Sequence, residues 1–247
     1  MFDCIKNLFY SIDPFYKVTK EEDLLILTPK DENYHINSVL IFLHGLGDSA
    51  QGYLSTFQSS SRPVPNTTKV ILPTAPLSPV AIMGGELMNS WYDIKGMSGE
   101  DDVSQEDVLD NTDKIIELIH KEAKGVEGGY QQIFVGGFSQ GACIALSAGL
   151  NIKENIGGII ALSGVLFPFC TKNVNIEEKK ELPIYIGHGT LDETININLA
   201  KLSYEFFSSN NFKNVKFNEF PISHTINSKE LKDINDFVYI NAIKHFI

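Results

Sequence analysis

Strand-like apolar runs alternate with helical segments along this chain, and several of the runs are apolar almost throughout. "SVLIFLH" (Ser38–His44), "KVILPTA" (Lys69–Ala75), "QQIFVGG" (Gln131–Gly137), "IGGIIALSG" (Ile156–Gly164) and "LPIYIGHG" (Leu182–Gly189) belong to this set, with "DLLILT" (Asp23–Thr28) and "NVKFNEF" (Asn214–Phe220). A strand with one face in water alternates polar and apolar residues, and a strand covered on both faces need not. Helices are expected between them. One starts at Ser104, which can cap with Asp107 while Val103 and Val108 form a hydrophobic staple, and runs to about Gly125. Others are expected over 140–150 and 194–210 and from Ser228 to the C-terminus. The succession predicts an α/β protein with a mostly parallel central sheet and helices on both faces.

At 247 residues, one large domain suffices for this pattern. It is assigned to residues 21–247, and residues 1–20 read as an N-terminal extension. There Phe2, Ile5, Leu8, Phe9 and Ile12 recur at near-helical spacing, which predicts a short amphipathic helix docked on the body. The sharper reading of that helix is transient membrane-surface contact, with acylation at Cys4. The formal net charge of −11 argues against a nucleic-acid surface. Three cysteines, Cys4, Cys143 and Cys170, give no C-x-x-C and no even set. A reducing compartment follows, with Cys143 as a small core residue. No run is long enough to span a bilayer, so the expected location is cytoplasmic, peripheral at membranes at most. Oligomeric state is left open. One segment, Pro76–Gly99, breaks the alternation. It is irregular but too apolar for disorder, so it is expected to cover an apolar pocket, with Leu77, Met88 and Trp91 as candidate substrate-binding residues.

The chemistry is concentrated in "GGFSQGA" (Gly136–Ala142), where Ser139 stands between Gly137 and Gly141. A G-x-S-x-G is expected about 0.1 times by chance in a chain of this composition, so its setting must decide. Here it follows a strand and precedes a helix, as a nucleophile elbow requires. The glycines keep the tight turn free of side chains, and the helix N-terminus favours developing negative charge. Serine needs a base, and the base an orienting acid, in the chain order Ser, Asp or Glu, His. Asp192 follows the end of one strand and His224 the end of the next, at the edge where Ser139 sits. His188 precedes Asp192 and is expected to shape the Asp192 loop. Glu193 is a rival acid whose side chain should point elsewhere. Asp233, Asp236 and His245 fall on the last helix. The backbone N–H groups of Gln140 and of Leu46, in the "FLHGLGDSA" loop, are the expected oxyanion donors. His44 is expected to be a buried histidine that holds that loop. No metal or cofactor is implied.

"LHGLGD" (Leu43–Asp48), "PTAPLSPV" (Pro73–Val80), "GGELMNSWYD" (Gly84–Asp93), "GGFSQGA", "ALSG" (Ala161–Gly164) and "GHGTLDETI" (Gly187–Ile195) occur in that order. As a set they resemble the acyl-protein thioesterase and lysophospholipase-like carboxylesterase family of α/β-hydrolases, from about Leu40 to His224. The resemblance implies hydrolysis of palmitoyl thioesters on proteins and of lysophospholipid or other carboxyl esters. It carries the nucleophile to Ser139, the acid to Asp192, the base to His224 and the oxyanion donors to Leu46 and Gln140. It also implies that the Pro76–Gly99 loop, with Trp91, helps form an acyl channel. Two positions depart from the family pattern: Ala142 and Ser223 stand where glycine is usual. Two other functions stay open: a short-chain carboxylesterase without a protein substrate, and a non-catalytic binding module on the hydrolase fold.

Overall fold

The computed structural model describes residues 15–96 and 102–244. The expected N-terminal helix with Cys4, and His245, lie outside the described residues. The strands are β1 (Tyr16–Glu21), β2 (Leu24–Pro29), β3 (Ser38–Leu43), β4 (Thr68–Pro73), β5 (Leu77–Val80), β6 (Glu86–Asn89), β7 (Ile133–Phe138), β8 (Gly158–Leu162), β9 (Ile184–Gly189) and β10 (Val215–Phe220). The helices are α1 (Ala50–Gln58), α2 (Gln105–Ala123), α3 (Gln140–Asn151), the single turn α4 (Ile176–Lys179), α5 (Ile197–Ser209) and α6 (Ser228–Ile243).

Eight strands form one sheet in the order β1-β2-β4-β3-β7-β8-β9-β10. β1 and β2 pair antiparallel, as do β2 and β4, and from β4 through β10 every pairing is parallel. The expected mostly parallel sheet is therefore the observed one. Period-two alternation sends Val39, Ile41 and Leu43 of β3 into the core under α2 and α3, and Leu40 and Phe42 into the core under α1 and α6. Both faces are covered, which is why the central strands are apolar throughout.

Two expectations at the N-terminal side are corrected. Tyr16–Lys20, placed in the N-terminal extension, form with Glu21 the edge strand β1, so the sheet begins before residue 21. The residues of β1 alternate without a long apolar face, and Tyr16 alone is buried, its hydroxyl donating to Thr68 O at 2.9 Å. The charged Lys17, Lys20 and Glu21 suit an unpaired sheet edge. Residues 76–89, expected to be irregular, hold the antiparallel β5–β6 hairpin. Its turn includes Gly84 and Gly85, both at positive φ. That Gly-Gly pair between two short runs is a hairpin signal the irregular reading passed over.

At the start of α2, Ser104 Oγ accepts the Asp107 N–H at 3.3 Å, as the capping pattern predicts. The reciprocal half differs. The Asp107 carboxylate accepts the Asp93 N–H at 3.0 Å, and the Ser104 N–H donates to Asp93 O at 2.9 Å. The cap thus ties α2 to the segment that follows the hairpin.

Candidate active site

β7 ends and α3 begins at Ser139, whose backbone sits at φ 55 and ψ −121. That conformation is strained for a residue with a Cβ and holds only where the surroundings enforce it. Here both glycines of the motif do so. A Cβ on Gly137 would collide with the backbone of Gly141, and one on Gly141 with the carbonyls of Leu43 and His44. α3 is buried from Gln140 to Leu150, so its small residues let it lie between the sheet and its neighbours. The Ser139 side chain is thereby held at the C-terminal ends of the parallel strands.

The loops after β9 and β10 meet it there. His224 Nε2 lies 2.9 Å from Ser139 Oγ, and His224 Nδ1 lies 2.7 Å from Asp192 Oδ2. Asp192 Oδ1 accepts the N–H groups of Thr194 and Ile195 at 2.9 and 2.8 Å. Burial pushes the Asp192 carboxyl up, but the hydrogen bond from His224 and those from Ile195 and Thr194 outweigh it and hold the group below the usual range. Asp192 is therefore a carboxylate whose oxygens are both engaged. The Phe138 ring packs on His224 with centroids 4.7 Å apart and closes one side of the imidazole.

His188 is fully buried behind this pair. Its Nε2 lies 2.8 Å from Ile195 O and 3.5 Å from Asp192 Oδ2. Burial lowers its pKa, against the opposing pull of the Ile195 carbonyl and Asp192. A neutral His188 bonded through Nε2–H closes the Asp192–Ile195 turn, as expected of a residue that shapes the loop.

The β3–α1 loop passes beside the serine: a Cβ on Gly45 would stand 3.3 Å from Ser139 Cβ. Leu46 follows directly. His44 is buried, its Nδ1 2.7 Å from Gly45 O, while its Nε2 accepts the Ala75 N–H at 3.0 Å. Burial, the largest influence, lowers its pKa and favours the neutral ring this bonding requires. The loop-holding role expected of His44 is what this geometry provides. Gln140 is the first residue of α3, so its N–H is one of those a helix leaves without an intrahelical acceptor.

The matching family model is Phospholipase/Carboxylesterase, over residues 25–242. The chain belongs to that family. It is a hydrolase of the α/β-hydrolase fold. An acyl-protein thioesterase 1 of Debaryomyces hansenii is 34% identical over 212 residues, which cover 81% of this chain and 90% of the relative. Among solved structures, Arabidopsis thaliana SOBER1 is 27% identical with a TM-score of 0.73, covering 83% of this chain and 98% of its own. Zea mays acyl-protein thioesterase 2, at 23% identity, shares the fold with a TM-score of 0.76 over 89% of this chain and 98% of its own.

Both departures from the pattern of the phospholipase/carboxylesterase family are accommodated. The Ala142 methyl is fully buried against Gly164, where a second Cβ would collide with it. Ser223 is exposed and is not among the positive-φ residues, so its conformation does not call for glycine.

The candidate substrate-binding residues divide. Trp91, expected in an acyl channel, is only 3% exposed, and its indole N–H donates to His44 O at 2.8 Å. It acts as a strut under the β3–α1 loop, and the cleft it borders is lined by polar groups including Asp93, Asp107 and Asn111. Leu77 and Leu87 of the hairpin are 70% and 67% exposed. The Met88 sulfur would be 3.9 Å from a Cβ on Gly47, which puts it beside the Leu46 loop. The hairpin is tied to that loop by Gly47 N–H to Asn89 O at 2.9 Å and Asn89 Nδ2 to Asp48 O at 2.8 Å. Sequence reasoning missed the Gln140 side chain. Its Oε1 accepts the Trp91 N–H at 2.9 Å, and its Nε2 donates to Tyr92 O at 2.7 Å. A large polar residue at the start of a buried helix of mostly small and apolar residues was the available signal.

Proposed function

We propose that this hydrolase cleaves long-chain acyl thioesters and carboxyl esters through a seryl acyl-enzyme, with acylated proteins and lysophospholipids as its substrate classes. One observation carries the reading: His224 bridges Ser139 Oγ and the buried, ionised Asp192 through its two ring nitrogens. Asp192 fixes the tautomer with Nδ1–H toward the carboxylate, which leaves the Nε2 lone pair facing Ser139. As Ser139 Oγ bonds to the acyl carbon, its proton passes to Nε2, and the carbonyl electrons move onto oxygen. The N–H groups of Leu46 and Gln140 stabilise that oxyanion. The intermediate then collapses, the bond to sulfur or oxygen breaks, and the leaving thiol or alcohol takes the proton from His224. Water repeats the sequence on the acyl-enzyme, releases the fatty acid and restores Ser139.

The buried Trp91 leaves the exposed hairpin leucines and Met88 as the apolar contacts for an acyl chain. Such an open contact also suits short acyl groups, which gives the short-chain esterase reading its support. Fluorophosphonate labelling at Ser139, absent in Ser139→Ala, tests the mechanism; an unlabelled native protein would refute it. Comparing kcat/KM on short- and long-chain p-nitrophenyl esters and on a palmitoylated peptide tests the substrate class. Preference for the short chains rejects the thioesterase reading.

A further inference from the structure

The loop that carries His224 runs from β10 to α6, and its first half is tied to the end of β9. Thr190 N–H donates to Phe220 O at 2.7 Å, and Leu191 N–H to Ile222 O at 3.0 Å. The second half ends at Asn227, the N-cap of α6. There Glu230 Oε2 accepts the Asn227 N–H at 3.0 Å, while Asn227 Oδ1 accepts the Glu230 N–H at 2.9 Å. Such a capping box needs only one carboxylate oxygen, and at a surface the other is hydrated. Here Glu230 is 0% exposed, and its Oε1 is buried with no hydrogen-bond partner among the described residues. That oxygen is turned toward β9, where a Cβ on Gly187 would stand 2.9 Å from it. β9 leads directly into the turn that holds Asp192. A single side chain therefore touches both the loop of the imidazole and the strand that presents its carboxylate partner.

We infer that Glu230 is a positioning residue for the His224–Asp192 pair, its cap anchoring the His224 loop and its second oxygen seating that cap against Gly187. The inference rests on the triad reading given above. Capping alone would be served by an exposed carboxylate, whereas seating against β9 requires the burial observed. The charged neighbour is Asp233 on the same helix, which itself accepts hydrogen bonds from Tyr185 of β9 and Asn218 of β10. Burial, helped by Asp233 and opposed by the Asn227 N–H, pushes the Glu230 carboxyl up to about 7. Glutamine is accordingly a close neutral replacement.

The test is steady-state hydrolysis of a p-nitrophenyl ester by Glu230→Ala, Glu230→Gln and Gly187→Ala, each checked for native circular dichroism. Glu230→Ala should lower kcat about 10- to 100-fold with KM within about twofold, as misplacement of a catalytic group does. Glu230→Gln should recover kcat to within about threefold, since the cap acceptor and the side-chain volume remain. Gly187→Ala leaves the capping groups chemically intact but pushes the Glu230 carboxyl away from β9, pressing less closely on Leu162 and Tyr185, and should lower kcat in the same way. It decides the matter alone if Glu230→Ala does not fold. Folded Glu230→Ala and Gly187→Ala proteins with kcat unchanged overturn the inference, as does a loss that Glu230→Gln fails to rescue. Ser139→Ala, assayed alongside, separates the two levels. If it stays active the triad reading falls and takes this inference with it; if it is inactive, unaffected Glu230 and Gly187 variants sink the inference alone.

Discussion

Gly164→Ala should destabilise the protein by about 1–3 kcal/mol, the usual cost of forcing a methyl into filled space. The added Cβ would collide with the Ala142 Cβ and stand 3.1 Å from Ser139 O. Backbone strain does not confuse the measurement, because Gly164 is not among the positive-φ glycines. Ala142→Gly should also destabilise. It removes a fully buried methyl, worth about 0.8 kcal/mol, and substitutes glycine inside α3, worth about 1 kcal/mol. The double variant moves the methyl from one side of the contact to the other. It should therefore be at least about 1 kcal/mol more stable than the sum of the single effects predicts. Urea unfolding at equilibrium, followed by tryptophan fluorescence and circular dichroism, supplies the four free energies. If the two substitutions add within about 0.5 kcal/mol, the Ala142–Gly164 contact is not what lets this chain carry alanine there.

Asp192→Asn should lower kcat by about 10⁴-fold. The amide keeps the volume but lets His224 take the tautomer with Nε2–H toward Ser139, which removes the base; a loss under tenfold on a p-nitrophenyl ester would contradict the orienting role. Glu230→Gln should gain thermal stability relative to the native protein as pH rises from about 5 to about 7, and no more above that. The folded carboxyl holds its proton to about 7, against an ordinary value of 4.5, so native stability is greatest below the ordinary value and falls as pH rises through that window. Melting temperatures from pH 5 to 8 that change in parallel for both proteins would refute this. Ser223→Gly should leave kcat/KM within about twofold, because an exposed residue at an ordinary φ gains little from glycine; a large gain would mean that serine constrains the His224 loop.

The parallel core of the sheet was legible because β3, β7, β8 and β9 are buried on both faces and must be written in apolar residues. The Ser139 elbow was legible because collisions leave no choice but glycine at 137 and 141. β1 was not, since an edge strand needs only one buried side chain, Tyr16, and otherwise looks like polar linker. The hairpin hid for a related reason: at four residues each, its strands are too short for periodicity to speak. Trp91 was hard to read because an aromatic ring in a loop reads equally as a ligand wall or as a strut. Only its indole hydrogen bond to His44 O separates the two. The role of Glu230 is invisible in sequence, because the cap pattern Asn227-x-x-Glu230 is the same whether the carboxyl faces water or β9.

The Gln140 side chain carries a consequence for how this enzyme could diverge. Its amide grips the backbone of Trp91 and Tyr92, while its own main chain begins the helix that follows Ser139. Remodelling of the hairpin segment must therefore respect a polar clasp whose other half follows Ser139 directly in the chain, beside the Ser139–His224–Asp192 cluster. Insertions should be tolerated at the exposed Gly84–Gly85 tip, at the other end of β6 from that clasp, and not at the buried Ser90–Tyr92. Specificity in this scaffold is free to drift at the end of the hairpin, whereas its root is inherited together with the chemistry.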